Sequence, residues 1–189
     1  MKEFTTPDYL KDAVRLLSPA GFATSDVWYH GTASGLVAAI QSGGLKGSGD
    51  AEIMARQLKT LSTIGHTGSE QQDPLFLTQS KELAYFWAVQ KTHTRNLYLS
   101  AAEEPVVFAL NLPAELATQV TTDAGGAALL MEPNNSYLLW LEAIYTAAGQ
   151  KLPELDPFRC DRMEYLNRLG LAYLNAEVSP DCLTLLQPA

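Results

Sequence analysis

A histidine, a glycine and a threonine follow an apolar run in the segment VWYHGTASG, residues 27–35. An imidazole can bind a hydroxyl group or move a proton near neutral pH. Gly31 has no Cβ, so the main chain there can come close to a ligand. Thr32 adds a hydroxyl on the same face as His30 if the strand continues. A strand that ends in a turn, with His30 half exposed, explains the same residues without any ligand, and both interpretations stay open.

Other residues that commonly do chemistry show no pattern of a known site. The sequence contains no dinucleotide-binding fingerprint, phosphate-binding loop, HExxH pair or nucleophile elbow. His66 and His93 have no metal-ligand spacing, and solvated, structural roles fit both, so we expect no metal site. Cys160 and Cys182 are too few for a disulfide scaffold, and we expect both to be reduced thiols that take part in packing.

The composition predicts one folded domain over residues 1–189. Hydrophobic residues make up 47% of the chain and charged residues 18%, which is typical of globular proteins. No apolar run approaches the roughly 18 residues of a transmembrane helix, and the N-terminus lacks the apolar stretch of a Sec signal peptide. We therefore expect cytoplasmic residence or export by a route without a Sec signal, and no membrane partner. The net charge of −8 disfavours non-specific nucleic-acid binding but leaves room for a small basic site.

The helices and strands expected from the sequence indicate an α+β fold. We expect a first helix over residues 7–18, strands at VWYH, PLFLT and PVVFALNLP, and a helix at SKELAYFWAVQKT that Ser80 caps. Residues 46–73 form a polar connection of a length that is more often functional than idle. Residues 123–170 are expected to be mostly helical, and the tail has strand character on both sides of Pro180. The strands do not alternate regularly with full-length helices, which favours α+β over a doubly wound sheet.

Three segments, taken in order, resemble the motifs of the ADP-ribosyltransferase superfamily, in its diphtheria-toxin-like branch with a His-Tyr-Glu triad. YHGT resembles the first motif, in which a His-Gly pair ends the first strand. PLFLTQSKELAYFWA resembles the second, a strand with an aromatic residue before a helix bearing small and aromatic residues. AEVSPDCLTLL resembles the third, in which a glutamate starts the last strand. The likeness covers roughly residues 27–187, with no motif in 124–170. It implies a split mixed β-sheet core with flanking helices.

The resemblance implies NAD as co-substrate and gives roles to the polar residues. His30 would hydrogen-bond the ribose of NAD, the Gly31 main chain would bind the nicotinamide carboxamide, and Thr32 could hold the adjacent ribose. Glu177 would be the catalytic carboxylate, which stabilises the positive charge that develops on the ribose as nicotinamide leaves and could help deprotonate the acceptor. A solvated carboxylate at a strand edge is the alternative for Glu177. Glu164 is a weaker rival, since its helix looks ordinary and amphipathic.

The aromatic part of the motif departs from the family pattern. The tyrosine of the second strand falls on Phe76, which keeps a ring for stacking on nicotinamide and loses the hydroxyl. The other side of the nicotinamide would face Phe86, or Tyr85 if the helix register differs by one residue. Core packing explains Phe86 equally well.

The activity implied is NAD-dependent ADP-ribosyl transfer to an acceptor that the sequence does not identify. The size of the chain and its single domain suggest a bacterial toxin or effector. Two alternatives stay open. An RNA 2′-phosphotransferase resembles the same fold, and the acidic composition argues mildly against it. A catalytically degenerate module that binds a nucleotide or a partner protein is the other, and Phe76 at the tyrosine position supports it.

Overall fold

The computed structural model describes residues 4–22, 25–47, 50–62, 73–132, 134–154, 156, 159 and 161–188. Two residues considered above, His66 and Cys160, lie outside this part of the chain, as do residues 63–72 of the long polar connection. Cys182 is a partly buried free thiol. Within the described residues, no helix combines the length and the apolar character needed to cross a membrane.

Helices and strands are interspersed along the chain. The helices are α1 Ala13–Leu16, α2 Val37–Gly43, α3 Ala51–Ser62, α4 Lys81–Leu99, α5 Ala114–Ala117, α6 Ala124–Ala128, α7 Ser136–Ala147 and α8 Arg162–Leu169. The strands are β1 Leu17–Ser18, β2 Gly21–Phe22, β3 Val27–Ala33, β4 Leu75–Thr78, β5 Pro105–Asn111, β6 Thr121–Thr122, β7 Leu171–Leu174 and β8 Leu183–Leu185. The predicted α+β class is confirmed.

Six of the strands form one sheet in the order β6-β7-β4-β3-β5-β8, and every described pairing in it is antiparallel. This differs from the mixed sheet that we expected. The reason is the position of β3, which lies between β4 and β5 and runs antiparallel to both. Strands β4 and β5 therefore run parallel to each other without being direct neighbours, and α4 joins them by crossing over β3.

The first helix is the other expectation that the structure corrects. Instead of one helix over residues 7–18, the chain forms a 3-10 turn at Asp8–Leu10, helix α1 and strand β1. Asp12 separates the turn from α1 with a φ of −139°. Its buried carboxylate accepts hydrogen bonds from the Ser80 hydroxyl at 2.6 Å and from the Lys81 amide at 3.0 Å. Asp12 thus leaves the helical conformation and caps the N-terminus of α4.

Ser80 caps α4 as predicted, since its hydroxyl accepts a hydrogen bond from the amide of Leu83 at 3.2 Å. Helix α2 ends at Gly43, and Gly44 follows it as the C-cap residue. Gly44 has a φ of +77°, and a Cβ there would collide with the carbonyl oxygen of Val178. Glycine is therefore required on both conformational and steric grounds.

The two faces of the sheet have different coverings. Because side chains alternate along a strand, Trp28, His30 and Thr32 share one face of β3, where Trp28 packs in a buried cluster with Val178. We call this the His30 face. Gly31 lies on the opposite face, which we call the α4 face because α4 packs there over β3 and β5.

Candidate functional site

His30 lies where two strands of the sheet separate. The described pairing of β3 with β4 consists of Tyr29 opposite Thr78, and His30 is the next residue along β3. Its Nδ1 atom is 2.9 Å from the main-chain carbonyl oxygen of Phe76. A carbonyl oxygen only accepts hydrogen bonds, so Nδ1 carries the proton and Nε2 of the neutral ring is an acceptor. This tautomer can accept a hydrogen bond from a ribose hydroxyl.

Burial lowers the pKa of His30 below its ordinary value, and the Lys91 ammonium acts in the same direction. The hydrogen bond with the Phe76 carbonyl opposes both effects, because it favours the protonated ring. Since the pKa is lowered in the folded state, His30 is neutral at pH 7, and protonation at acid pH works against the folded arrangement.

This direction can be checked by following the histidine ring signals in an NMR pH titration, with the His30 signal assigned from a His30→Gln variant. We expect its midpoint below about 6.5, the value of an unperturbed histidine. The other two histidines keep their signals in the variant and serve as internal references for the assignment. A His30 midpoint at or above about 6.5 would contradict the burial and the tautomer described here.

Gly31 is explained by helix packing. A Cβ at this position would collide with the main-chain oxygen of Ala84 and would lie 2.9 Å from the amide nitrogen of Ala88. These are main-chain atoms of α4, and they cannot turn aside as a flexible side chain does. The close approach that the sequence attributed to a ligand is therefore made, on the α4 face, by the helix itself.

Three other predicted site residues lie in the interior. Thr32 is 2% exposed. Tyr85 is buried and packs with Leu10 and Val107. Phe86 is partly buried against the core cluster that contains Leu83 and Tyr137, and its ring centroid is 5.0 Å from that of Trp87 in an edge-on contact. The core-packing interpretation left open for Phe86 is the one that these contacts favour.

Phe76 differs from these residues because it is 51% exposed. Its neighbours Leu75 and Leu77 are both buried in the cluster on the His30 face. By alternation, the Phe76 side chain lies on the α4 face. The exposed ring thus belongs to a strand whose other described side chains are buried, and a planar ligand can reach it.

Glu177 stands on a segment whose main chain is fixed. Val178 exchanges two main-chain hydrogen bonds with Leu45, each of 2.9 Å, so the segment that precedes β8 is tied to the segment that follows α2. Lys46 Nζ lies 3.8 Å from a Glu177 carboxylate oxygen, and both side chains are exposed. An ion pair of this kind at the surface contributes little to stability. The Glu177 carboxylate is therefore accessible on a rigid backbone.

The structure brings some of the predicted site residues together and leaves others apart. His30 contacts the main chain of Phe76, so the first and second motifs meet. Val178, next to Glu177, packs in the same cluster as Trp28, which shares a face with His30. Among the described contacts, none joins Glu177 to His30 directly. Glu164 lies exposed in the first turn of α8, where its amide donates to the capping carboxylate of Asp161.

A buried ionic cluster next to the end of β3 was missed by the sequence reasoning. Arg95 is 2% exposed and donates to Asp50 at 2.5 Å. It also binds both carboxylate oxygens of Glu103, at 2.7 and 2.9 Å, and one oxygen of Glu52 at 3.0 Å. We call Arg95, Asp50 and Glu103 the Arg95 cluster. The sequence indicates this cluster through the position of Arg95. It lies at helical spacing from Ala84, Ala88 and Thr92, on the buried face of α4.

The Arg95 cluster fixes the chain just after β3 and again in the first turn of α3, within the polar connection. Glu103 accepts a hydrogen bond from the Gly35 amide just after β3, and Asp50 accepts one from the Ile53 amide at 3.3 Å in the first turn of α3. The Arg95 guanidinium holds the pKa of Glu103 below its ordinary value. Burial alone would raise the pKa of Asp50, but Arg95 and Lys91 outweigh it and lower this pKa.

Neither of two surface depressions coincides with His30 or Glu177. One, of about 420 Å³, is lined by residues that include Phe4, His93 and Leu97. The other, of about 330 Å³, lies around Lys11 and Glu82. In the part of the chain that the structure describes, no group of three or more His, Cys, Asp or Glu side chains is arranged to hold a metal ion.

Comparison of the chain with protein-family models, with curated proteins and with solved structures gives no significant match. A functional conclusion for this protein therefore depends on its own residues and their geometry.

Proposed function

We propose that this protein is an NAD-dependent ADP-ribosyltransferase with the fold of that superfamily. The observation that carries the proposal is the contact of His30 Nδ1 with the Phe76 carbonyl oxygen. It joins the two motif segments, which lie 46 residues apart in the sequence, at the point where β3 and β4 separate. The imidazole tautomer fixed by this contact is the one that can accept a hydrogen bond from a ribose hydroxyl.

The third motif supports the same proposal. The Leu45–Val178 pairing holds the segment of Glu177 against the end of α2, the helix that follows β3. Val178 and Trp28 are in one buried cluster, so this segment lies on the His30 face of the sheet. An exposed carboxylate on that side is available to a sugar that His30 binds.

In the proposed reaction, the bond between ribose C1′ and the nicotinamide nitrogen breaks. The electron pair leaves with the nicotinamide, which becomes neutral, and the ribose gains oxocarbenium character. Glu177 stabilises that positive charge and orients the sugar, while His30 holds a ribose hydroxyl through Nε2. The Phe76 ring lies on the face of the sheet opposite to His30 and Glu177, so it has no role in this arrangement. An acceptor nucleophile then bonds to C1′ and gives up its proton, which Glu177 can receive.

A matched pair of glutamate variants tests the proposal. Purified protein is incubated with NAD, and free nicotinamide is measured by chromatography. We expect Glu177→Gln to reduce nicotinamide release by about 10²–10³-fold, because it removes a charge aligned with the transition state. Glu164→Gln is the control, since this side chain is exposed and lies on α8, and it should leave release unchanged. Equal release by the wild type and both variants would overturn the assignment of Glu177.

One observation favours a second candidate, a module that binds NAD without turning it over. Phe76 offers a ring with no hydroxyl, so it can stack but cannot hydrogen-bond. NAD binding without nicotinamide release, with every acceptor tried, is the result expected of that module. For an active enzyme, labelled NAD in a cell lysate identifies the acceptor and tests the bacterial toxin or effector role.

A further inference from the structure

A lysine that the sequence reasoning did not single out lies beside Glu177. Leu45 and Val178 form an antiparallel pair through two main-chain hydrogen bonds. In antiparallel pairing, the residues next to such a pair, Lys46 and Glu177, come opposite each other. The Lys46 Nζ atom is 3.8 Å from a carboxylate oxygen of Glu177. The paired backbone therefore fixes the point from which the Lys46 side chain extends, directly across from the proposed catalytic acid.

The side chains of Lys46 and Glu177 both point to solvent. Leu45 and Val178 are buried in the cluster on the His30 face, and side chains alternate along an extended chain. Lys46 and Glu177 therefore point away from that core, and their side chains are 50% and 63% exposed. Because an ion pair at the surface contributes little to stability, the Lys46 ammonium can exchange Glu177 for an anionic ligand at a small cost in free energy.

NAD brings an anionic group close to this lysine. Its diphosphate is joined to C5′ of the ribose whose C1′ carries the nicotinamide, so a group beside the acid that holds this ribose is close to the diphosphate. The chain has a net charge of −8, which repels an anion at long range and makes a local cation important. Lysine suits this task, because its ammonium is a compact charge with three donors on a flexible stem. Lys91, by contrast, is engaged by the buried carboxylate of Asp50 at 3.2 Å.

We propose that Lys46 binds the diphosphate of NAD and so determines affinity for the dinucleotide. This inference rests on the proposed function, because it takes NAD as the ligand and Glu177 as the group at its ribose. Before NAD binds, the Lys46 ammonium balances the Glu177 carboxylate. When NAD binds, the ammonium moves to the phosphate oxygens and leaves the carboxylate to the ribose. Lys46 is a binding residue and takes no part in breaking the bond to nicotinamide.

Binding of ADP-ribose tests the proposal, because this compound keeps the ribose and the diphosphate of NAD and has no nicotinamide to lose. Its affinity is measured by isothermal titration calorimetry for the wild type, Lys46→Met and a control, Lys11→Met. Lys11 is also an exposed lysine paired with a carboxylate, that of Asp8 at 2.7 Å, so both variants change the net charge equally. We expect Lys46→Met to weaken binding about 10-fold, the loss of a hydrogen bond to a charged group, and Lys11→Met to have no effect.

A second background excludes the simpler alternative, in which Lys46 only balances the charge of Glu177 across the pair. In that case Lys46→Met weakens binding because an uncompensated carboxylate repels the diphosphate, and the effect disappears once Glu177→Gln has removed the carboxylate. If Lys46 contacts the diphosphate itself, Lys46→Met weakens ADP-ribose binding in the Glu177→Gln background as well. Equal affinity of Glu177→Gln with and without Lys46→Met would therefore overturn the inference.

The outcomes separate this inference from the proposed function. If the wild type releases nicotinamide from NAD and Lys46→Met binds ADP-ribose as tightly as the wild type does, the inference is wrong and the activity stands. If Lys46→Met weakens ADP-ribose binding in both backgrounds and no nicotinamide is released, the inference stands and the activity is wrong. Failure of the wild type to bind ADP-ribose overturns the inference. Melting temperatures of the variants within about 2 °C of the wild type show that the fold is intact, since such shifts correspond to small changes in stability.

Discussion

Replacement of Arg95 by methionine is expected to lower the free energy of unfolding by about 3–5 kcal/mol, the usual result of removing one partner of a buried ion pair. The change leaves the Asp50 carboxylate buried and the Glu103 carboxylate without its bidentate partner. Urea denaturation measures the loss. Arg15→Met is the control, because Arg15 is exposed, and substitutions of that kind usually change stability by less than about 0.5 kcal/mol.

A second variant tests whether the lower free energy of unfolding comes from the carboxylates that lose Arg95 as their partner. Addition of Asp50→Asn and Glu103→Gln to Arg95→Met removes two carboxylate charges that Arg95 balanced, of which Asp50 keeps only Lys91 among the described cations, at 3.2 Å. This should recover part of the stability, because neutral amides are far easier to bury than carboxylates. If Arg95→Met lowers the free energy of unfolding no more than Arg15→Met, water must reach the Arg95 cluster, and the burial described for it is wrong.

Replacement of Gly31 by alanine is expected to lower the free energy of unfolding by about 3 kcal/mol, at the upper end of the usual penalty for overpacking. The added methyl group would meet main-chain atoms of Ala84 and Ala88, so α4 must move away from β3 to make room. The displacement would reach His30 as well, and we expect NAD binding to weaken in the same variant. Thermal unfolding and calorimetry measure the two effects.

Gly43→Ala is the matched control for this prediction. A Cβ at Gly43 would meet nothing within 4 Å, and alanine has the higher helix propensity, so stability should stay the same or rise slightly. If Gly31→Ala is as stable as Gly43→Ala, α4 does not pack on β3 as closely as described. Helix packing would then not explain the glycine at position 31, and the close approach of a ligand to its main chain would be the simpler explanation.

The elements that follow from neighbouring residues could be predicted from the sequence. Ser80 caps a helix because its hydroxyl reaches an amide three residues on, and Gly44 ends one because it adopts a positive φ. The single helix expected at residues 7–18 does not form, because the Asp12 carboxylate accepts hydrogen bonds from amides of α4, about 70 residues away. No local pattern carries that information.

The same distinction applies to the candidate site. His30 and Phe76 lie in strands that apolar runs reveal, so these elements were predictable, although β3 continues past the His-Gly pair to Ala33. The expectation that Glu177 starts the last strand was wrong, because β8 begins only at Leu183. The pairing of Phe76 with Tyr173 could not be predicted, because it depends on the register between β4 and β7, which lie almost a hundred residues apart. The packing reason for Gly31 is likewise visible only when a distant helix is placed on the strand.

The pairing of Leu45 with Val178 also has a consequence for the protein during synthesis. Val178 follows Leu45 by 133 residues, and at about 5–20 residues per second the ribosome needs roughly 7–27 seconds to make that stretch. Until then, β3 and α2 can form while the carboxylate of Glu177 does not yet exist. The outer edge of strand β5 waits for a shorter time, because its partners in β8 follow 73–77 residues later. A nascent chain therefore contains His30 before it contains Glu177. It also exposes the unpaired outer edge of β5, which chaperones can bind until translation passes Leu185.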